Sequence, residues 1–330
     1  MREDRLLNLA LALVVAMAFV ASVLAGRTWI PLFDVVGLLV TTDPSGLALV
    51  LQEIRLPRAI LGGLVGATLG LAGAAMQGLL RNPLAEPGLI GVSGAAALGA
   101  VIVFYSGLAA LMPLALPLGG IAGALLAALT IHLLARRDHS VLALILAGIA
   151  INSLAGALTA LALSLAPSPY AALEVFFWLL GSVADRSFNH VALATPLMLV
   201  GWALFVGAGR GLDALSMGED TAASLGVDLR SLRVRLIFGT ALSVGAAVAV
   251  TGIIGFVGLV VPHLLRPLVG HQPSRLLLPS ALGGAALTLA ADTLARMTPT
   301  GSEIKLGVLT ALLGAPFFFV LLMRTRRAVT

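Results

Sequence analysis

The stretch RLPRAILGGLVGATLGLAGAAMQGLLRNPLAEPGLIGVSGA, Arg55 to Ala95, joins two features that pull against each other. Its centre is apolar for longer than the about 20 residues that a bilayer-crossing helix needs. It is also crowded with glycine, a poor helix former in water. Gly62, Gly66, Gly70, Ala74 and Gly78 recur every four residues, which sets a small residue on one helix face at each turn. Lipid provides no hydrophobic force between helices, so close backbone approach and van der Waals contact must hold them together. The stripe therefore predicts a spanning helix packed among other helices. Spacing alone leaves open whether that helix also borders a pathway. The polar ends, Arg55 and Arg58 in front and Arg81-Asn82-Pro83 with Glu86-Pro87-Gly88 behind, mark where the chain leaves the apolar layer.

The rest of the chain has the same character. Hydrophobic residues make up 59% of the 330 and charged residues 11%, against about 25% charged in a soluble domain, and mean hydropathy is +1.08. There is no cysteine, which excludes disulfides and thiolate metal sites. The net charge of +5 does not point to nucleic acid as a partner. The few cations lie between apolar runs, where the positive-inside effect accounts for them. Residues 6–25 follow MREDR and exceed the 7–15 residues of a signal core, which predicts an uncleaved first spanning helix.

Ten apolar runs can span a membrane: 6–25, 57–80, 89–105, 114–135, 141–166, 191–208, 236–250, 253–269, 276–294 and 304–323. The third is short and glycine-rich, and the eighth is short and interrupted by Pro262. Residues 171–181 are too few to span and predict a membrane-edge helix. Residues 209–235 form the longest polar stretch. The fold class is therefore all-α, a polytopic membrane protein forming one membrane domain over residues 1–330. An even count places both termini on one side. With that side cytoplasmic, the inner segments carry fourteen arginines and the outer ones Arg27, Arg55, Arg58, Arg186, Arg296 and Lys305, the asymmetry that sets orientation. Arg58 ahead of AILGGLVGATLGLAG is echoed by Arg235 ahead of LIFGTALSVGAAVAVTG. These two helices would run in opposite directions, the pattern of two inverted halves.

Several chemistries are excluded. The one lysine, Lys305, has no GxxxxGK[ST] around it, so the chain makes no phosphate loop for ATP. His132, His139, His190, His263 and His271 are scattered and predict no metal site. Ion-coupled carriers keep carboxylates inside the membrane. Here Glu53, Glu174 and Glu303 fall near span ends, and Asp292 stands four residues before Arg296, where the two can neutralise each other on one helix face. Energy would come from outside the chain. An ion-coupled carrier and a scaffold with no transport role remain the competing classes.

The stretch from Arg55 to Ala95 resembles the signature of FecCD-type permeases, the membrane subunits of ABC importers for haem, iron–siderophore complexes or cobalamin. MGEDTAASLGVDLRSLRVR, TGIIGFVGLVVPHLLRPLVG, ADTLAR and PTGSEIKLGVLTALLGAPFFFVLL follow in the family's order. The resemblance implies a ten-helix subunit paired with a second copy of itself, two cytoplasmic ATPases holding ATP and Mg, and one periplasmic binding protein. This chain itself would bind no cofactor. It implies that Arg55, Arg58 and Arg296 face the periplasm and meet carboxylates of the binding protein, where bidentate guanidinium pairing suits docking; the same arginines could simply anchor helix ends. It places the ATPase contact on residues 215–229, with Leu215, Gly218, Glu219, Asp220, Ala223, Leu225 and Gly226 as coupling residues. Gly226 would end a first helix, and Asp228 would cap a second. Asn82, Pro83 and Leu84 fall at the cytoplasmic end of the pathway. Ser140, Val141 and Leu142 fall at the inner gate, where the family often has small hydroxyl residues and Val141 departs from the pattern. General resemblance of NPLAEPGLIGVSGA and FFWLLGSVADRSF orders the substrates as haem, ferric siderophore, then cobalamin.

Overall fold

The computed structural model describes residues 2–26, 30–40, 46–112, 114–135, 141–297 and 303–327. All regular structure in them is helical: α1 Arg2–Leu24, α2 Leu32–Val40, α3 Gly46–Leu49, α4 Leu56–Leu79, α5 Val92–Tyr105, α6 Leu108–Leu111, α7 Ala115–Ala135, α8 Val141–Ser164, α9 Pro169–Leu179, α10 Phe188–Phe205, α11 Ala208–Ser216, α12 Glu219–Ser224, α13 Leu229–Thr251, α14 Val257–Leu265, α15 Pro273–Met297 and α16 Leu306–Arg327. Among the described residues seven helices are long and apolar enough to cross a membrane. The other three expected spans are the shorter apolar helices Val92–Tyr105, Val257–Val269 and Leu306–Leu321. The membrane-edge helix is α9, where the Ser168 hydroxyl accepts the Ala171 N–H at 3.2 Å and so caps the first turn.

Local chemistry explains where the boundaries differ from the apolar runs. The second span is longer than expected, because α3 and α4 form one apolar helix, Gly46–Leu79. A π-helical turn, Val50–Arg55, joins them. Pro57 has no N–H to continue the regular ladder, and a widened turn just before it absorbs the gap. The eighth span breaks ahead of Pro262, not at it. Residues 252–256 are non-helical, and α14 runs through Pro262 to Leu265. Pro262 leaves the Gly258 carbonyl without its helical donor, and the Gln77 amide of α4 donates to Gly258 and Leu259 instead, at 3.4 and 3.3 Å. The polar stretch 209–235 is not one loop. It contains α11, α12 and the first two turns of α13, which Asp228 caps by accepting the Ser231 N–H at 3.0 Å.

Two helices form the interior. The apolar windows of α4 and α13 are 72% and 78% buried, and their neighbours are reciprocal. As α4 packs on α15, α13 packs on α7; as α5 packs on α7 and α8, α14 packs on α15 and α16; as α14 crosses α4, α5 crosses α13. The faint sequence echo is thus a structural pairing of the two halves. Small residues make both central contacts. A Cβ on Gly70 would sit 1.9 Å from the Ser280 carbonyl oxygen, and one on Gly66 would sit 2.3 Å from that of Gly284. In the reciprocal contact a Cβ on Gly245 would sit 2.4 Å from the Ala124 methyl. The expected stripe faces α15 through Gly62, Gly66 and Gly70. Ala74 clusters with Val269 and Leu276, and Gly78 meets Leu212 of α11.

Candidate functional site: a broken-helix cavity between two polar ends

The two short spans enter the molecule in the same way. α5 is preceded by a 3-10 turn, Pro87–Ile90, and by Gly91 at φ +74. α14 is preceded by residues 252–255 and by Phe256 at φ +67. A helix of 14 residues reaches only about 21 Å, short of a hydrocarbon core of about 30 Å. Backbone left non-helical at that depth must find partners. Glu86, which precedes the first break, supplies one for the second: its carboxylate accepts the Phe256 N–H at 2.7 Å, across 170 residues. Gly252, in the second break, sits against the Trp178 carbonyl, and the adjoining Thr251 carbonyl accepts the Ser182 N–H at 2.7 Å.

Each break rests on a glycine of the last long helix of its own half. Gly148 of α8 lies under Leu89 and Ile90, and Gly314 of α16 lies under Phe256. Two cavities flank residues 253–255. One, of about 370 Å³, is lined by Glu86, Ser93, Asn152 and Ser153 among others. The second, of about 840 Å³, lies against Ala311, Pro316 and Phe319 of α16. Beside them α8 and α16 turn large apolar side chains outward, among them Leu146, Leu161, Leu312 and Phe319. Of the expected gate residues, Asn82 folds its carboxamide onto the Leu84 N–H at 2.9 Å, Pro83 is exposed and Leu84 half-buried, and Leu142 is exposed. Val141 starts α8, and Ser140 lies outside the described residues. Among the described residues no hydrogen bond joins 82–84 to 141–142; it is Leu89–Gly91 that lies on α8.

At one end of the bundle the three arginines gather, Arg55 and Arg58 buried and Arg296 with its side chain only 6% exposed, and Arg58 and Arg296 share an ion cluster. Arg58 grips Asp292 through Nε and one terminal nitrogen at 2.9–3.1 Å, and that nitrogen reaches Glu303 at 2.9 Å. Arg296 pairs with Asp292 at 3.3 Å and donates to Ser22 and to the Ala25 carbonyl. Arg55 donates to the Val23 and Leu24 carbonyls at 3.1 and 2.8 Å. α1 has no cation in its own last turn, and these two arginines supply the positive charge that a helix C-terminus favours. The cluster ties α1, α4 and α15 together. Its most accessible charged group is the Glu303 side chain, 42% exposed.

The opposite end carries α11 and α12. Leu215 is buried against the core, whereas Ala223, Leu225 and Gly226 are exposed. Asp220 is exposed in the first turn of α12, and Glu219 makes a 2.7 Å ion pair with the largely buried Arg233 of α13. Gly218 at φ +115 and Gly226 at φ +81 bracket the helix. A Cβ at Gly218 would have only Thr221 Oγ1 nearby, at 3.9 Å, so it is the backbone conformation and not crowding that requires glycine there. Asp213 of α11 accepts the Ser274 N–H at 2.8 Å and a Gln272 amide hydrogen at 3.0 Å, fixing α11 to the start of α15. Among the described residues no group of His, Asp or Glu converges on a metal position.

Sequence reasoning missed Glu86 as a link between the halves and Glu303 as a partner of Arg58. Both carry a visible signal, a lone carboxylate at the end of an apolar run. What a single sequence withholds is the partner, 170 and 245 residues away.

Comparison with known proteins agrees with this architecture. Residues 13–324 match the model of the FecCD transport family. The chain is 42% identical over 284 residues to the hemin transport system permease protein HmuU of Yersinia pestis, covering 83% of each chain. It is 43% identical over 275 residues to the vitamin B12 import system permease protein BtuC of Vibrio cholerae, covering 82% of each. A solved structure of a metal-chelate type ABC transporter in an inward-facing conformation superposes with a TM-score of 0.86 at 32% identity, over 96% of this chain and 98% of that one. Seven long and several shorter apolar helices among the described residues, arranged in two reciprocal halves, with a family match over nearly their whole length, establish that the chain belongs to the FecCD transport family and is a multi-span ABC transporter permease.

Proposed function

We propose that this chain is the membrane subunit of an ATP-driven importer for haem or a related chelate of the siderophore or cobalamin type. The observation that carries the reading is the pair of cavities flanking residues 253–255, next to the apolar faces that α8 and α16 leave without a partner in the single chain. A second copy applied to those faces would close the cavities into one central pathway. The relatives named for hemin and vitamin B12 support the substrate class, and haem is the first choice within it. The walls are mostly apolar with a few polar groups, which suits a conduit that passes a large solute without retaining it.

In this reading both termini and α12 face the cytoplasm and the Arg58 cluster faces outward, across the inner membrane. Two cytoplasmic ATPases, which hold the ATP and Mg, grip α12 through its exposed Ala223, Leu225 and Asp220. A periplasmic binding protein docks at the opposite end. Because the Arg58 and Arg296 side chains are held in their own ion cluster and almost unexposed, a partner carboxylate enters by exchange with the half-exposed Glu303, a contact worth about 0–1 kcal/mol in solvent. Asp292 stays in place. Nucleotide-driven movement of α12 then shifts the helices around the cavities, opening one gate and shutting the other.

The test is reconstitution of the chain with its partner ATPase and binding protein in vesicles. Uptake should require ATP inside and persist when the proton gradient is collapsed. The loaded binding protein should show a Soret band if haem is carried. Accumulation by the chain alone, or loss of uptake with the proton gradient while ATP is maintained, would overturn the proposal.

A further inference from the structure

A groove of about 1080 Å³ runs along the outside of the bundle, away from the cavities at residues 253–255. Its walls are α1, α4, α10 and α15, with Phe19, Ala67, Trp202 and Ala281 among the lining residues. On α4 it extends from Ala59 to Leu71 and on α15 from Ser274 to Leu289, a length of about 20 Å at 1.5 Å per residue. One leaflet of a bilayer with a core of about 30 Å is about 15 Å deep, so the groove can take a whole acyl chain and reach past the midplane. The hollow is built into the fold. Gly63 and Ala67 leave the face of α4 bare, and Trp202 is held in the wall by its indole N–H, which donates to Thr68 Oγ1 at 3.0 Å.

Charge is placed at one end only. Arg210 of α11 is the single charged residue lining the groove; it is exposed and makes no hydrogen bond or ion pair among the described residues. Arg235 lies outside the lining but donates to the carbonyl of Val206, a wall residue four positions before Arg210. The nearby Asp213 carboxylate is taken up by Ser274 and Gln272 and does not line the groove. An apolar trough with one lining cation at its end and a second bonded to its wall is complementary to an amphiphile with a negative head. We propose that this groove holds an anionic diacyl phospholipid, with its phosphate at Arg210 and Arg235 and an acyl chain along the bare face of α4. The leaflet that supplies it, the cytoplasmic one, rests on the orientation proposed above; the site itself does not. A head group at Arg210 would tether α11, and with it the segment leading to α12, to the membrane surface.

The experiment uses the full chain in vesicles of equimolar phosphatidylglycerol and phosphatidylcholine, extracted gently and weighed by native mass spectrometry. Phosphatidylglycerol should be retained preferentially. Arg210→Ala should lower that preference about fivefold, the worth of one arginine near an anionic surface, while Arg210→Lys keeps most of it. Ala281→Trp, which fills the trough, should displace both lipids. Because Arg210 is a surface residue, Arg210→Ala decides the matter even if Ala281→Trp folds poorly. Equal retention of both lipids by the unaltered chain, indifference to Arg210→Ala, or a second copy of the chain released by Ala281→Trp would each overturn the proposal. The readout uses neither ATP nor substrate, so its failure and that of the import reading are separable.

Discussion

Replacing Asp292 by Asn tests whether the arginine cluster is the clamp its geometry describes. Asp292 neutralises two guanidinium groups, Arg58 at 2.9–3.1 Å and Arg296 at 3.3 Å, with all three side chains only 3–8% exposed. Removing one member of a buried ion pair costs about 3–5 kcal/mol, because the remaining charge stays buried without its counter-charge. Arg58 would retain Glu303, and Arg296 would retain Ser22 and the Ala25 carbonyl, which puts the loss at the lower end, about 3 kcal/mol. Glu303→Gln removes a carboxylate that is 42% exposed and should cost about 0–1 kcal/mol. Thermal unfolding of the purified chain separates the two. At roughly 2 °C per kcal/mol, Asp292→Asn should lower the midpoint by about 6 °C and Glu303→Gln by about 2 °C or less. Equal losses, or no loss from Asp292→Asn, would mean that the cluster carries no tension of charge and that the arginines are free for another use.

Three further outcomes are expected. Gly70→Ala should force α4 from α15, since the new methyl would lie 1.9 Å from the Ser280 carbonyl oxygen, and lower stability by about 1–3 kcal/mol. Gly63→Ala, whose methyl meets only Leu289 at 3.7 Å, should be neutral or stabilising by up to about 1 kcal/mol; thermal unfolding of the two variants checks this. Gly218→Val must hold φ +115, a conformation costing about 1–3 kcal/mol for such a residue. In the reconstituted complex, uptake per ATP hydrolysed should fall about tenfold, equivalent to about 1.4 kcal/mol, with hydrolysis itself preserved. Glu86→Ala should strand the part-buried Phe256 N–H at about 1 kcal/mol, the lower end for an unsatisfied group, and Glu86→Gln, whose amide oxygen still accepts, should restore most of it. If Gln is as damaging as Ala in thermal unfolding, the charge and not the hydrogen bond is what matters.

The sequence reveals most where physics is local. Apolar length located the seven long spans, because the bilayer imposes its thickness on each helix separately, and the other three apolar runs correspond to shorter helices among the described residues. The four-residue recurrence from Gly62 to Gly78 located the close helix contact, because a helix cannot hide which face its small residues share. Asp228 and Gly226 announced a cap and a stop through their own chemistry. The sequence was less legible where structure depends on a distant partner. The break before α14 is not at Pro262, the visible breaker, since Gln77 of another helix repairs the bond that proline removes. The family resemblance sets Arg55, Arg58 and Arg296 facing a partner, with anchoring of helix ends as the alternative, and their low exposure emerges only once Asp292 and the last turn of α1 are brought to them. Leu215 lies in the polar stretch yet packs into the core, because its helix is amphipathic and its apolar side faces the bundle.

The α4–α15 pair connects the two polar ends. Its helices are locked by glycine against carbonyl where Gly66 and Gly70 meet Gly284 and Ser280, a contact with no slack for sliding. At one end the pair ends in the Arg58–Asp292–Arg296 cluster. At the other it is fixed to α11, through Asp213 on Ser274 and Leu212 under Gly78. In the proposed reading a displacement delivered to α12 and α11 would therefore reach the far end through a rod, not through a chain of adjustable side chains. The broken entries of α5 and α14 lie outside that rod, each on one glycine and joined to the opposite half by the Glu86 carboxylate at Phe256. In the reading proposed above this packing divides the labour: the tight pair would transmit, and the interrupted pair, whose entries are not α-helical, would rearrange around a passing solute. Gly70→Ala and Glu86→Ala probe these two roles separately, and they should differ in kind. Loosening the rod should impair transmission from α12 to the far end while leaving the cavities formed, whereas releasing Phe256 should alter the cavities while leaving both ends joined.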